Sequence, residues 1–223
     1  MPVRSLLALL ALLAAGPADA ASIFSYGGDL LVGSPTGAFR DYVSVAGGLS
    51  GFALWAAPRG FLGFRVDGSS ALYGSETLHV PVARQLSRIS VDVTTDNWIA
   101  HVAAGPQLMV PSGRVRPYVN AFAGLSYFST TSEATADYQA VLLAGSTNYD
   151  STAFSWGAGA GIRVPFGSRR VALDAGARYV RSGRVSYLIK GDLHDDGHGG
   201  VSFTPRRGPA DLVEFRLGVS IGR

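Results

Sequence analysis

Apolar and polar residues alternate along most of the chain beyond residue 20. The clearest stretch is 152–166, where Phe154, Trp156 and Ile162 share one face while Ser155 and Arg163 lie on the other. A period of two is typical of a β-strand whose faces meet different environments. Eight stretches show this alternation, and no helical period competes with it. They are residues 24–33, 43–56, 61–73, 97–110, 115–128, 152–166, 171–181 and 211–221.

The connections between these strands alternate strictly between short and long. The short ones are four-residue turns of turn-forming residues, at 57–60, 111–114 and 167–170. The long ones are residues 34–42, 74–96, 129–151 and 182–210. All short turns then lie at one end of an up-and-down meander, as in bacterial membrane barrels. The sequence predicts an all-β protein, an eight-stranded antiparallel up-and-down transmembrane β-barrel with four long loops at one end and three short turns at the other.

Residues 1–20 have the features of a secretory signal peptide. Arg4 precedes the apolar run 6–15, and Ala18-Asp19-Ala20 matches a cleavage site. The apolar run is about half the ~20 residues that a spanning helix needs. We therefore expect residues 1–20 to be cleaved and residues 21–223 to form one outer-membrane β-barrel domain.

Composition argues against an ordinary soluble surface. Charged residues make up 16% of the chain, with Lys190 as the one lysine, whereas soluble domains average roughly 25%. The 29 glycines suit tight turns and a crowded interior. Cysteine is absent, which excludes disulfides and thiolate chemistry. The net charge of +3 has no basic stripe with interleaved aromatics, so nucleic acid is not expected as a partner.

The positions of aromatic residues favour an apolar face that points outward into lipid. Aromatics cluster at strand ends on that face, as expected for girdles at a membrane interface. This predicted girdle consists of Trp98, Tyr127, Trp156 and Tyr179 near the long loops, and Trp55 and Phe166 near the short turns. The faces of stretch 43–56 stay ambiguous because its even positions include Phe52 and Leu54, and a bulge could shift its register. A soluble periplasmic barrel with an apolar, ligand-binding interior has the same period and remains an alternative.

The polar face carries a set of opposite charges. We predict a lumenal network of Asp29, Arg65, Asp67, Arg116, Arg163, Asp174, Arg178, Glu214 and Arg216. Paired charges of this kind can fill a closed interior, since unpaired buried charges are costly. The other interpretation is a narrow ion-conducting path. An eight-stranded barrel is just wide enough to be filled by side chains, which favours the structural role.

No catalytic, cofactor or metal site is predicted. The histidines are His79, His101, His194 and His198, and none lies in a nucleophile motif such as G-x-S-x-G. The glycine run 157–161 is not followed by a helix, which excludes a dinucleotide fingerprint. Residues 191–200 are dense in Asp and His and could bind a divalent cation, but their spacing matches neither a calcium loop nor a zinc site. A solvated loop is the alternative.

Five motifs together resemble the bacterial outer-membrane β-barrel domain family, the small eight-stranded OmpA-, OmpX- and OmpW-like barrels. They are Ser34-Pro35-Thr36-Gly37-Ala38-Phe39-Arg40-Asp41-Tyr42, Gly105-Pro106, Pro117-Tyr118 with Gly124, the alternating Gly157, Gly159 and Gly161, and the closing strand 211–221. The resemblance implies a Gram-negative outer membrane, contact with its lipid and lipopolysaccharide, a monomer, and recognition by the barrel-assembly machinery. Arg216-x-Gly218 with Val219 and Ile221 resembles part of that assembly signal, although the chain ends Gly222-Arg223 instead of on an aromatic residue.

These observations predict a porin-like integral barrel with a structural or surface-interaction role, non-enzymatic and without an open pore. The long loops would carry that role, and Tyr138 with residues 141–143 would form an apolar patch on the third loop. The alternatives are a narrow channel or a transporter of small hydrophobic molecules. A lipid A-modifying enzyme is a further alternative, since some barrels of this family modify lipid A.

Overall fold

The computed structural model describes residues 23–57, 61–81, 90–136, 141–166, 170–187, 193–195, 201–203 and 206–222. The predicted signal peptide lies outside these residues. None of the helices formed by the described residues is long and apolar enough to cross a membrane.

Eight strands close into one antiparallel barrel, which confirms the predicted fold class. The barrel strands are β1 (Ile23–Pro35), β2 (Ala46–Ala56), β3 (Leu62–Pro81), β4 (Ser90–Met109), β5 (Arg116–Ala136), β6 (Val141–Phe166), β7 (Val171–Ser182) and β12 (Leu212–Gly222). Between β7 and β12 lie β8 (Arg184–Tyr187), β9 (Leu193–Asp195), β10 (Val201–Phe203) and β11 (Arg206–Pro209). Neighbours along the chain pair with each other, and β1 pairs with β12 from Ser25↔Gly222 to Pro35↔Leu212.

Two of the predicted long loops are mostly strand, so their predicted bounds were wrong. The β3–β4 hairpin continues to Pro81 and Ser90, and the β5–β6 hairpin continues to Ala136 and Val141. These extensions are rich in threonine, a good strand former. Cross-strand hydroxyl pairs connect them, such as Thr77 Oγ1 to Thr94 Oγ1 at 3.1 Å. In the β3–β4 hairpin, apolar residues also continue to alternate beyond the predicted strand, where Leu78 pairs with Val93 and Val80 with Val91.

Strand β2 has its even positions inside the barrel. Phe52 and Leu54 are 2% and 1% exposed, while Trp55 points outward beside Phe24, with ring centroids 5.3 Å apart. Pairing of β2 with β1 and β3 runs without a register shift, so the bulge considered for this strand is absent. The outward face of the barrel is apolar and exposed, as at Leu30 (65%) and Leu49 (64%). An apolar-interior soluble barrel does not have this arrangement.

Candidate functional site: the barrel interior

Charged side chains occupy the middle of the lumen. Eight of the nine residues in the predicted lumenal network are at most 8% exposed, four of them arginines and four acidic: Asp29, Arg65, Asp67, Arg163, Asp174, Arg178, Glu214 and Arg216. The ninth, Arg116, also points inward but is half-buried, and it forms no ion pair with the described residues. Opposite charges in equal number are the arrangement that limits the cost of burying them.

Asp67 is the centre of the larger charge cluster. It accepts hydrogen bonds from Arg65 Nε at 3.0 and 3.1 Å and from Arg216 Nη1 at 2.8 Å, and Arg178 Nη1 lies 3.8 Å away. Glu214 accepts from Arg178 Nε at 2.6 Å and from Arg216 Nη2 at 3.1 Å. Strands β3 and β12 are not neighbours in the sheet, so the contact between Asp67 and Arg216 crosses the lumen.

A second cluster forms around Asp174. Tyr118 donates its hydroxyl to Asp174 Oδ1 at 2.7 Å, and Arg163 Nε lies 3.4 Å from Asp174 Oδ2. Arg163 also reaches across to Ser25 Oγ at 3.3 Å. Asp29 accepts a hydrogen bond from Ser50 Oγ at 3.3 Å. Each cluster therefore contains a contact between strands that are not neighbours in the sheet, Arg216 with Asp67 and Arg163 with Ser25.

Aromatic rings and uncharged polar groups fill the space between the charges, and the predicted network did not include them. The Arg65 guanidinium lies 3.8 Å from the centroid of Phe52, and that of Arg178 lies 4.8 Å from the centroid of Phe122. Arg178 Nη2 is 3.0 Å from His101 Nδ1. Strand parity could have found Phe122 and Tyr118, because both share the face of Arg116 and Ser126 along β5.

Glycines on the inward face make room for these rings. A Cβ on Gly161 would lie 2.5 Å from the Tyr118 ring, and one on Gly27 would lie 2.6 Å from the Phe52 ring. Such approaches are far below van der Waals contact. The inward glycines therefore accommodate bulky lumenal side chains, here a tyrosine and a phenylalanine.

An apolar layer lies inside the barrel at the loop end. The short 3₁₀ helix Gly37–Asp41 places Phe39, which is 0% exposed, against Tyr73 at 5.7 Å between ring centroids. Tyr73 in turn packs edge-on against Phe128 at 6.3 Å. Val185 of β8, in the predicted fourth loop, belongs to the same buried cluster. At the opposite end, a smaller apolar cluster contains Phe52, Leu54, Met109 and Tyr118.

Outward aromatics form two levels on the wall. The six predicted girdle residues lie on the outward face, with Trp156 49% exposed and Phe166 51% exposed. Tyr179 donates its hydroxyl to Asp211 Oδ2 at 2.9 Å. Aromatic side chains with one polar contact are suited to the boundary between hydrocarbon and headgroups.

The described residues offer no metal site. No group of three His, Cys, Asp or Glu residues comes together among them. The side chains of His79 and of residues 191–200 lie outside the described residues, so the structure does not test whether residues 191–200 bind a cation or form a solvated loop. Tyr138 lies outside them too, while residues 141–143 begin strand β6.

Comparisons with known proteins agree with this architecture. The model of the outer membrane protein beta-barrel domain matches residues 5–203. The crystal structure of Neisserial surface protein A (NspA) is similar at a TM-score of 0.51 and 19% identity, covering 89% of this chain and 96% of that one. Ail, the attachment invasion locus protein of Yersinia pestis, has a TM-score of 0.46 and 13% identity, covering 91% and 97% of the two chains. A major outer membrane protein from Thermus thermophilus has a TM-score of 0.47 and 14% identity, covering 89% and 99%. No curated protein matches the sequence significantly.

Proposed function

The chain belongs to the outer membrane protein beta-barrel domain family and is an integral outer-membrane protein, and from this premise we propose that it is a closed structural barrel whose loops carry surface interactions. It is neither an enzyme nor an open channel. The observation that supports this role is the filled interior, where apolar layers lie at both ends of a charged layer.

The layering explains why ions do not pass. Phe39, Tyr73 and Phe128 pack as one cluster at the loop end, so an entering ion would lose its hydration there. Below them, the guanidinium of Arg216 bridges Asp67 and Glu214. Opening a path would have to separate these buried ion pairs and leave their charges uncompensated inside the barrel.

Solute flux into proteoliposomes tests the closed state. Vesicles containing the refolded protein should swell in isotonic arabinose no faster than protein-free vesicles, whereas vesicles with a sixteen-stranded porin should swell rapidly. Swelling above the protein-free rate, from a preparation free of contaminating porin, would overturn the closed-barrel proposal.

The proposed topology places the long loops outside the cell and the short turns in the periplasm. Residues 1–20 are removed as a signal peptide, so the mature chain starts at Ala21, which mass spectrometry of the purified protein can check. Because the chain has no cysteine, single-cysteine variants report cleanly on topology. A membrane-impermeant maleimide should label Ser44→Cys on intact cells and should label Ser112→Cys only after lysis. Both positions are exposed in the structure, and the reverse pattern would contradict the topology.

The proposed partners are outer-membrane lipid and lipopolysaccharide, with the barrel-assembly machinery during biogenesis, and the protein acts as a monomer. The absence of enzymatic activity has its own test. The acyl pattern of lipid A from cells with and without the gene should be identical by mass spectrometry, and a changed pattern would identify a lipid A-modifying enzyme.

A further inference from the structure

The lipid-facing wall has a depression where four neighbouring outward positions are alanine. Ala121, Ala158, Ala160 and Ala177 are among its lining residues, as are the larger Leu108 and Tyr179, and this open depression has a volume of about 770 Å³. Large side chains stand on the same wall around it, such as Leu125, Phe154 and Phe215, each more than half exposed. We call this depression, defined by these six lining residues, the wall groove.

A second hollow lies directly above the groove at the loop end. It is lined by Phe154, Trp156, Arg181, Ser182, Gly183, Arg184 and Pro209 and encloses about 440 Å³. We call it the rim pocket. Its lining contains two basic side chains and no acidic one.

The two arginines of the rim pocket are available to a ligand. Both are exposed, and neither forms an ion pair with any residue that the structure describes. Arg181 is the cross-strand partner of Trp156, and its guanidinium lies 5.8 Å from the centroid of that ring. The neighbouring carboxylate of Asp211 is already engaged, since it accepts hydrogen bonds from the Tyr179 hydroxyl and the Ser182 amide.

The groove and the pocket are continuous along two strands. Trp156 and Ala158 are successive outward positions on β6, and Arg181 and Tyr179 are successive outward positions on β7. Successive outward positions are about 7 Å apart along a strand. One amphiphile can therefore place its head in the rim pocket and a hydrocarbon chain in the wall groove.

We propose that this composite surface binds a phosphorylated glycolipid of the outer leaflet, with a phosphate at Arg181 and Arg184 and an acyl chain along the alanines. A guanidinium matches phosphate geometry through paired hydrogen bonds, and Trp156 lies at the depth where headgroup meets chain. Bulk lipid is as apolar as the wall, so the groove contributes packing while the arginines supply most of the selectivity. The choice of an outer-leaflet lipid rests on the proposed topology with the long loops outside.

Lipid retention during native mass spectrometry tests the site. Full-length refolded protein in detergent micelles is mixed with bis-phosphorylated lipid A, with the same lipid A after phosphatase treatment, or with inorganic phosphate. We expect one bis-phosphorylated lipid A to be retained at least about tenfold more strongly than the dephosphorylated form, since two charged hydrogen-bond sets are lost. Equal retention of both lipids, or full displacement by equimolar inorganic phosphate, would overturn the proposal.

Matched variants locate the binding. Arg181→Gln with Arg184→Gln should reduce retention about tenfold or more, whereas Arg207→Gln, an exposed arginine of β11 outside the pocket lining, should not change it. Filling the groove by Ala158→Leu with Ala160→Leu should also reduce retention, and Ala53→Leu on the far wall should not. Each variant must first show heat-modifiable migration on a gel, which establishes a closed barrel. Wild-type retention by both double variants would overturn the site, independently of the swelling assay that tests the closed lumen and of the labelling that tests topology.

Discussion

Asp67→Asn should strongly destabilise the barrel although it changes one oxygen atom to a nitrogen. Asp67 is 2% exposed. Its carboxylate accepts hydrogen bonds from Arg65 and Arg216 and forms a longer ion pair with Arg178. An amide at this position retains one acceptor oxygen and presents a donor group to cationic neighbours. The fully buried set then changes from four positive and four negative residues to four positive and three negative.

The expected loss follows from the contacts. Removing one partner of a buried ion pair costs about 3–5 kcal/mol because the other charge stays buried without compensation. Glu214 still contacts Arg178 and Arg216 at 2.6 and 3.1 Å, which leaves Arg65 as the residue that loses its main partner. We therefore expect the free energy of unfolding to fall by about 3 kcal/mol, at the lower end of that range.

Guanidinium unfolding of the refolded protein in phospholipid vesicles, followed by tryptophan fluorescence, measures this loss. The midpoint should fall while the slope of the unfolding free energy against denaturant stays unchanged, because the surface exposed on unfolding is the same. Asp150→Asn is the matched control, since Asp150 is exposed on the β6 extension, and it should stay within about 0.5 kcal/mol of wild type. A loss below about 1 kcal/mol for Asp67→Asn would refute the reasoning that Asp67 anchors the network.

A double-mutant cycle separates the pairing from other effects. Arg216→Met removes one positive charge, so combining it with Asp67→Asn restores three residues of each sign in the buried set. The double variant should be more stable than the sum of the two single losses predicts, by about 1 kcal/mol or more. Additive losses would mean that the 2.8 Å contact between the two side chains carries no coupling.

Three further substitutions and one control test other layers of the interior by the same unfolding assay or by gel migration. Phe39→Ala should cost about 3 kcal/mol or more because the ring is fully buried at the loop end, and a loss under about 1 kcal/mol would mean that the 3₁₀ helix does not seal the mouth. Tyr118→Phe should cost about 1.5–3 kcal/mol by deleting the 2.7 Å hydrogen bond to Asp174, so a neutral result would remove that bond from the account. Gly161→Val should prevent heat-modifiable migration, because its Cβ would lie 2.5 Å from the Tyr118 ring. Gly47→Val should migrate as wild type, since a Cβ there meets nothing within 4 Å, and normal migration of both variants would contradict the packing argument.

The alternation of odd and even positions along each strand predicts which side chains face the lumen and which face outward. Along β12, Glu214, Arg216 and Ser220 alternate with Phe215 and Leu217, and in the structure the first three are buried while the other two face outward. The closed eight-stranded fold was predictable from this pattern, although the predicted alternation of connection lengths did not hold, since the β5–β6 hairpin continues to Ala136 and Val141. Successive side chains of a strand point to opposite faces, so the face of each residue follows from its position in the strand alone.

Pairing within the lumen was not predictable in the same way. Asp67 and Arg216 lie on strands that are not neighbours, and whether they meet depends on the relative height of opposite walls. That height follows from the stagger of the closed barrel, which no single strand reveals. The sequence thus indicates the charges that face inward but not their partners.

The inward aromatics were not part of the predicted network: the faces of the strand that carries Phe52 were ambiguous, and Phe122 was not assigned to a face. Phe52 and Phe122 point inward and lie over the guanidiniums of Arg65 and Arg178. Phe39 was missed for another reason, since it comes from a connection without strand periodicity and reaches the lumen through the 3₁₀ helix. Parity along β5 would have placed Phe122 inside, whereas the position of Phe39 depends on tertiary packing instead of on a local pattern.

Single-channel recording in planar bilayers tests the filled interior most directly. Purified refolded protein, inserted at a density established by gel assay and free of contaminating porin, should give no reproducible conductance steps in concentrated KCl at either polarity. Insertion of a sixteen-stranded porin under the same conditions should give clear steps, because barrels of that size hold an aqueous channel. Reproducible steps from the wild-type protein, abolished when the gene product is removed by affinity depletion, would contradict the account of a lumen closed by its own side chains.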